Sequence, residues 1–220
     1  MKRRQTLKLV FAHPLAAGLA HVVARGLAAG SLVAGAGGAP GAAFAATPAE
    51  SAALAQDVAA LLRAGGCVLM LRHAQTEAGT GDPSNFNIDQ CSTQRNLSPD
   101  GRAQAAAINR WFSSRSLVPS RVLSSVWCRC QDTARLAFGR FDVLPELGST
   151  FGGRADATAQ TLALQARLRA VAPGTFEVWV THQVNVTALT GEVPSMGEAF
   201  VVSTSTTGSA VRVLARTQFA

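Results

Sequence analysis

Two short, nearly uninterrupted apolar runs, each closing on a histidine, constrain this chain more than any other feature. Cys67-Val68-Leu69-Met70-Leu71 leads into Arg72-His73, and Phe176-Glu177-Val178-Trp179-Val180 leads into Thr181-His182. Runs of this length without polar alternation suit strands buried on both faces of a parallel sheet. Helical periodicity fills the intervals. Residues 52–63 have a helical apolar face ending at Gly65-Gly66, and Ser98-Pro99 supplies an N-cap and a first-turn proline for a helix to about residue 114. Residues 121–125 read as a strand, 129–138 as a short helix closed by Gly139, and 141–144 as a further strand. A strongly amphipathic helix is expected over 158–172, stopped by Pro173-Gly174, and a short one over 184–190, ended by Gly191. Residues 199–204 and 210–215 look like a terminal hairpin, and residues 77–93 form a long loop. Alternation of this kind predicts an α/β fold: a three-layer α/β/α sandwich around a mostly parallel central sheet.

The formal charge of +7 suggests a nucleic-acid partner until the charges are located. Five basic residues (Lys2, Arg3, Arg4, Lys8 and Arg25) lie in the first 45 positions, which hold no acid. The rest carries 15 Arg against 13 Asp and Glu, a nearly neutral domain, so no nucleic-acid partner is expected. No lysine follows Lys8, which excludes a Walker A loop, a Schiff-base lysine and a kinase lysine from the domain. Tyrosine is absent altogether.

Residues 1–45 read as an export signal. The segment Met1-Lys2-Arg3-Arg4-Gln5-Thr6-Leu7-Lys8 resembles a twin-arginine start, and Ala43-Phe44-Ala45 suits cleavage near Ala45/Ala46. Residues 46–220 would then be one domain, periplasmic or secreted. The uncharged stretch 26–45 is rich in Gly and Ala and is broken by Pro40, so no stable membrane insertion is expected after cleavage. His13, Pro14, His21 and Arg25 interrupt what should be the apolar stretch, which leaves a mis-assigned start codon open.

Export permits disulfides. Cys67 lies in an apolar run and is expected as a buried free thiol, while Cys128 and Cys130 stand too close in a helix to bond each other easily. A link from Cys91 to Cys128 or Cys130 is therefore expected, pinning the long loop to a helix. Zinc on Cys128 and Cys130 is disfavoured by the cationic Arg129 between them and by the narrow spacing. Asp82, Asn85, Asn87 and Asp89 alternate somewhat as calcium ligands do, but the spacing and the missing glycine disagree with an EF-hand. No metal and no cofactor are expected.

His73 and His182 are the only histidines beyond residue 45, and both fall just past the carboxyl end of an expected parallel strand. That edge is where open α/β sheets bind ligands. Arg72 adjoins the first histidine, and Arg129 lies near a helix N-terminus after the strand ending at Ser124-Ser125. Two guanidinium forks and two imidazoles around one pocket describe a phosphate site.

These stretches resemble the histidine phosphatase superfamily in its phosphoglycerate-mutase-like branch. Leu71-Arg72-His73-Ala74-Gln75-Thr76 looks like the Arg-His-Gly/Ala signature, and residues 95–105 hold Leu97-Ser98-Pro99-Asp100-Gly101-Arg102-Ala103-Gln104-Ala105, similar to its Leu-Ser/Thr-x-x-Gly-x-x-Gln-Ala helix start. Ser125, Arg129, Thr133 and Ala134 match a Ser-x-x-x-Arg-x-x-x-Thr-Ala segment, and Val180-Thr181-His182 matches the second-histidine strand. The resemblance covers about residues 60–216 and implies a phosphoglycerate-mutase-like fold. It implies that His73 is the nucleophile and that Arg72, Arg129 and His182 hold the phosphoryl oxygens, with Thr76 as a further substrate contact. It also implies a general acid after the second arginine, for which Glu146 is the first candidate and Glu198 the fallback.

The expected function is thus a metal-independent phosphatase. It would hydrolyse a small-molecule phosphate ester through a phosphohistidine and release inorganic phosphate outside the cytoplasm. The rival readings are a non-catalytic binder of phosphate or phosphorylated envelope sugars and a phosphoglycerate-mutase-type phosphotransferase.

Overall fold

The computed structural model describes residues 58–79, 81–205 and 210–219. The expected export signal, its cleavage point and the start-codon question lie outside them. Within them, α1 (described residues 58–64) precedes β1 (Cys67–Arg72), α2 (Pro99–Ser113), β2 (Arg121–Ser124), α3 (Cys128–Phe138) and β3 (Asp142–Val143). Then follow α4 (Ala157–Arg169), β4 (Phe176–Thr181), α5 (Gln183–Thr190), β5 (Glu198–Thr204) and β6 (Val211–Gln218).

The strands form one six-stranded sheet in the order β3-β2-β4-β1-β5-β6. The β3, β2, β4 and β1 strands run parallel, and β5 and β6 extend the sheet antiparallel, so the expected hairpin is present as its far edge. Side chains alternate between two cores because strand residues point to opposite faces. Leu69, Leu71, Val178, Val180 and Val201 pack with Leu62 of α1, Ile108 and Trp111 of α2 and Ala134 of α3. On the other face Val68, Met70, Trp179, Phe200 and Val202 pack with Leu164 and Leu168 of α4 and Val186 and Leu189 of α5. These are the three expected layers. Each fully buried Val, Leu or Phe side chain contributes about 1.5–3 kcal/mol.

The α4 helix differs from its expectation. It covers Ala157–Arg169 and buries only Leu164 and Leu168, with Leu162 59% exposed. Its start is set by Asp156, whose carboxylate accepts from the N–H groups of Thr158 and Ala159, rather than by a broad apolar face. Ser98 caps α2 as expected, accepting from the Gly101 N–H. Gly139 closes α3 at φ 75°, which a side chain rarely adopts.

The cysteines follow the sequence reading and resolve its open choice. Cys91 bonds Cys128, while Cys67 and Cys130 are buried free thiols.

Candidate active site

The parallel register pairs Arg72 with Thr181, so the next residue of each strand, His73 and His182, emerges at the same edge. The His73 N–H donates to the Thr181 carbonyl at 2.9 Å, and the two imidazole centroids stand 5.5 Å apart, edge to face. Next to β4 on its other side, β2 ends at Ser124, and Ser125 carries the chain into α3. Arg129 sits in the first turn of that helix, 4% exposed.

Each motif residue has a physical task here. Thr133 Oγ1 accepts from the Ala74 N–H at 3.0 Å and donates to the Arg129 carbonyl at 2.7 Å, fastening the residue after His73 to α3. The Gln104 side chain accepts from the Gln75 N–H and donates to the Met196 carbonyl. Gly101 lies so close to Gln75 that an added Cβ would come 1.8 Å from its carbonyl oxygen. The start of α2 thus presses on the segment that follows His73.

The site is a cavity of about 440 Å³, whose wall includes Arg72, His73, Arg129 and His182. Four of the five residues expected in catalysis therefore share one wall. Gln183 and Val184, the first two residues of α5, complete part of it, and a helix N-terminus favours an anion.

Both histidines are buried and stay neutral. Burial, then Arg129, pushes His73 down to about 3, with Arg72 and Arg95 adding to the effect, while its bond to the Ala74 carbonyl opposes it. The Nδ1 of His73 lies 2.9 Å from that carbonyl, an acceptor, so Nδ1 carries the proton and Nε2 keeps a free lone pair. His182 is lowered well below its ordinary value by burial, then by His73 and Arg129. Ser125 Oγ accepts from the Trp127 N–H and lies 2.9 Å from His182 Nε2. If the hydroxyl donates to Nε2, His182 keeps its proton on Nδ1 and can offer it to an oxyanion. Cys130 Sγ is 3.5 Å from the same nitrogen, and burial pushes its thiol up to about 12.

The arginines are held yet unsatisfied. Arg72 donates to the Pro194 carbonyl at 2.8 Å, and Arg129 to Asp82 at 3.0 Å, while the Nε of each is buried without a partner. Burial lowers Arg72 below the usual arginine value, and the charges of Arg95 and Arg129 lower it further. A cavity of buried cations with open donors suits an oxyanion.

Other expected residues fall elsewhere. Thr76 is buried with its hydroxyl on Met196 Sδ and does not line the cavity. Glu146 sits in a single 3₁₀ turn and does not line it either. Glu198 is engaged at the far edge of the sheet, accepting from Arg216 at 2.8 and 3.0 Å and from the Ser195 N–H at 2.7 Å. The carboxylate on the cavity wall is Asp82, from the long loop after β1, where it also accepts from the Arg95 N–H. In the sequence Asp82 figured only among possible calcium ligands. Its ion pair with Arg129, and the hydrogen bond from the Asp89 N–H to Asn87, commit this loop to internal contacts. Cys128 has its sulfur in the disulfide, which takes the Cys128/Cys130 pair out of consideration for zinc. Among the described residues no three of His, Cys, Asp and Glu cluster to hold a metal ion, and no helix is long and apolar enough to cross a membrane. Arg95, Trp127 and Arg154 also line the cavity and were given no part by the sequence reading.

A neutral imidazole with a free nitrogen, set among guanidinium groups at the carboxyl edge of parallel strands, defines an α/β protein suited to phosphoryl chemistry. Residues 68–152 match the model of the histidine phosphatase superfamily (branch 1). The fold is similar to the protein histidine phosphatase SixA complexed with tungstate. The identity is 18% and the TM-score 0.50, over 69% of this chain and 96% of that one. It is equally similar to a candidate alpha-ribazole-5'-P phosphatase from Escherichia coli K-12, at 18% identity and TM-score 0.50, covering 70% and 98% of the two chains. No curated protein matches the chain.

Proposed function

We propose that the protein is a phosphomonoester hydrolase working through a phosphohistidine on His73. The observation that carries this reading is the meeting of His73 and His182 with Arg72 and Arg129 on one cavity wall, with His73 neutral.

In this reading His73 Nε2 attacks the phosphorus in line with the ester oxygen. The phosphoryl group enters as its monoanion, takes Arg129 from Asp82 and leaves its proton on that carboxylate. The N–P bond then forms, the P–O bond to the leaving group breaks, and the leaving oxygen takes this proton from Asp82. Arg72, Arg129 and the Nδ1–H of His182 hold the equatorial oxygens, because phosphoryl transfer depends mainly on positioning and charge stabilisation. Donation from His73 Nδ1 to the Ala74 carbonyl helps spread the positive charge that the ring acquires. Water then attacks phosphorus, gives a proton to Asp82, and releases inorganic phosphate while the N–P bond breaks. None of these steps calls for a metal ion.

The test is release of inorganic phosphate from p-nitrophenyl phosphate by residues 46–220, beside the His73→Ala variant, with and without chelator. Chelator-resistant turnover that the variant abolishes, with acid-labile phosphate on the parent protein, supports the proposal. Phosphate binding without either would replace it with the binder. Tungstate, the oxyanion present with SixA, should inhibit. Export through residues 1–45 belongs to the same proposal. Fractionation of the expressing cell with N-terminal sequencing of the product checks it, and a cytoplasmic protein starting at Met1 would overturn it.

A further inference from the structure

The phosphatase reading uses Arg72 and Arg129 but gives Arg154 no part. Arg154 comes from the exposed stretch between β3 and α4 and lines the same cavity. Its guanidinium carbon lies 4.5 Å from the Phe86 ring centroid and 5.8 Å from that of Trp127. Phe86 and Trp127 are stacked on each other at 4.8 Å, so a long side chain is held over an aromatic platform. Holding it there in advance lowers the ordering cost of binding.

The guanidinium carbon of Arg129 lies 4.4 Å from the same Trp127 centroid. The two cations thus share one indole, within reach of a single small substrate. Among the described residues no carboxylate pairs with Arg154, whereas Arg129 already has Asp82. Four arginines and one carboxylate line the cavity, so a phosphoryl dianion leaves its wall positive. Trp127, Ser149 and Arg154 also border an adjoining recess of about 420 Å³, with room for the body of a leaving group.

We infer that the substrate carries a second anionic group, a phosphate or a carboxylate, on its leaving group, and that Arg154 receives it. The inference rests on the phosphatase reading. Arg154 acts here as a specificity residue, outside the cradle of the transferred phosphate.

The experiment compares phenyl phosphate with 4-carboxyphenyl phosphate and hydroquinone bisphosphate, which add one anionic group to the same ring. The parent protein should favour the doubly anionic esters in kcat/KM by about tenfold, chiefly through KM. Arg154→Gln should bring that preference close to one while leaving phenyl phosphate within about twofold, and Arg154→Lys should restore part of it. A parent protein indifferent to the second anion, or a preference that survives in Arg154→Gln, overturns the inference while the phosphatase reading stands. If none of the three esters is hydrolysed, the phosphatase reading fails, and calorimetric affinities of the same compounds for the parent and Arg154→Gln proteins decide the inference alone.

Discussion

Asp82 and Arg129, 47 positions apart in sequence, form an ion pair of 3.0 Å inside the cavity, with their side chains only 15% and 4% exposed. In the proposed mechanism the pair sets the Asp82 carboxylate beside the leaving oxygen, and it also occupies a guanidinium that would hold the phosphate. Asp82→Asn should therefore act in two directions. Turnover of an alkyl phosphate should fall by about 10²–10⁴, the usual contribution of a general acid. Turnover of p-nitrophenyl phosphate, whose leaving group needs little protonation, should fall far less, and inorganic phosphate should bind more tightly. Equal losses on both substrates would remove Asp82 from the proton-donor role.

The Cys91–Cys128 disulfide closes a loop of 37 residues and joins the Asp82 loop to the residue beside Arg129. The double variant Cys91→Ser, Cys128→Ser should lose about 2–4 kcal/mol of stability in urea unfolding. It should also lose activity in urea well below its unfolding midpoint, because the loop is then tethered by weaker contacts. Activity and folding lost together in both proteins would show that the bond serves stability alone.

His73 titrates near 3 in the folded protein and near 6.5 when unfolded. Above pH 6.5 both states hold it neutral and the difference costs nothing. As the pH falls from 6.5 toward 3, the unfolded chain binds a proton that the folded one refuses. Stability should fall by up to about 1.4 kcal/mol per pH unit for this residue. Thermal unfolding between pH 7 and 5 measures the slope, which should be shallower in His73→Gln. A parallel slope in that variant would place the acid sensitivity elsewhere.

Gly101→Ala should cost about 1–3 kcal/mol, because the added methyl meets the Gln75 carbonyl and the helix or the segment after His73 must shift. The same shift should weaken phosphate binding, measurable by calorimetry on the variant. Ala103→Gly, on the exposed side of α2, serves as a control with a stability loss of about 1 kcal/mol and intact binding.

Much of this was legible in the sequence, and the reasons are local. An apolar run with no alternation has few places to go except a doubly covered strand, so β1 and β4 and the histidines at their ends follow from the local order of residues. Residues attached directly to such strands inherit their placement, and Arg72, His73 and His182 were found that way. The carboxylate on the cavity wall, Asp82, was not. Asp82 lies in a loop without periodicity, and its position depends on a disulfide partner and an ion-pair partner 37 and 47 residues beyond Cys91 and Asp82. Glu146 was favoured for its order along the chain, which says nothing about the direction of a side chain in a 3₁₀ turn. Arg154 was missed for a related reason, since the aromatic pair that positions it is assembled from two separate segments.

The bond from the His73 N–H to the Thr181 carbonyl continues the hydrogen-bond ladder of the central strands. In the proposed mechanism the nucleophile is thus an extension of the central ladder, so its amide is expected among the slowest to exchange, and exposing it requires opening the sheet itself. Asp82, which lines the same cavity, belongs to a loop outside the sheet that can part at lower cost. Under the proposed mechanism such a chain would lose its proton donor transiently many times over while the phosphate-accepting nitrogen stays in its place.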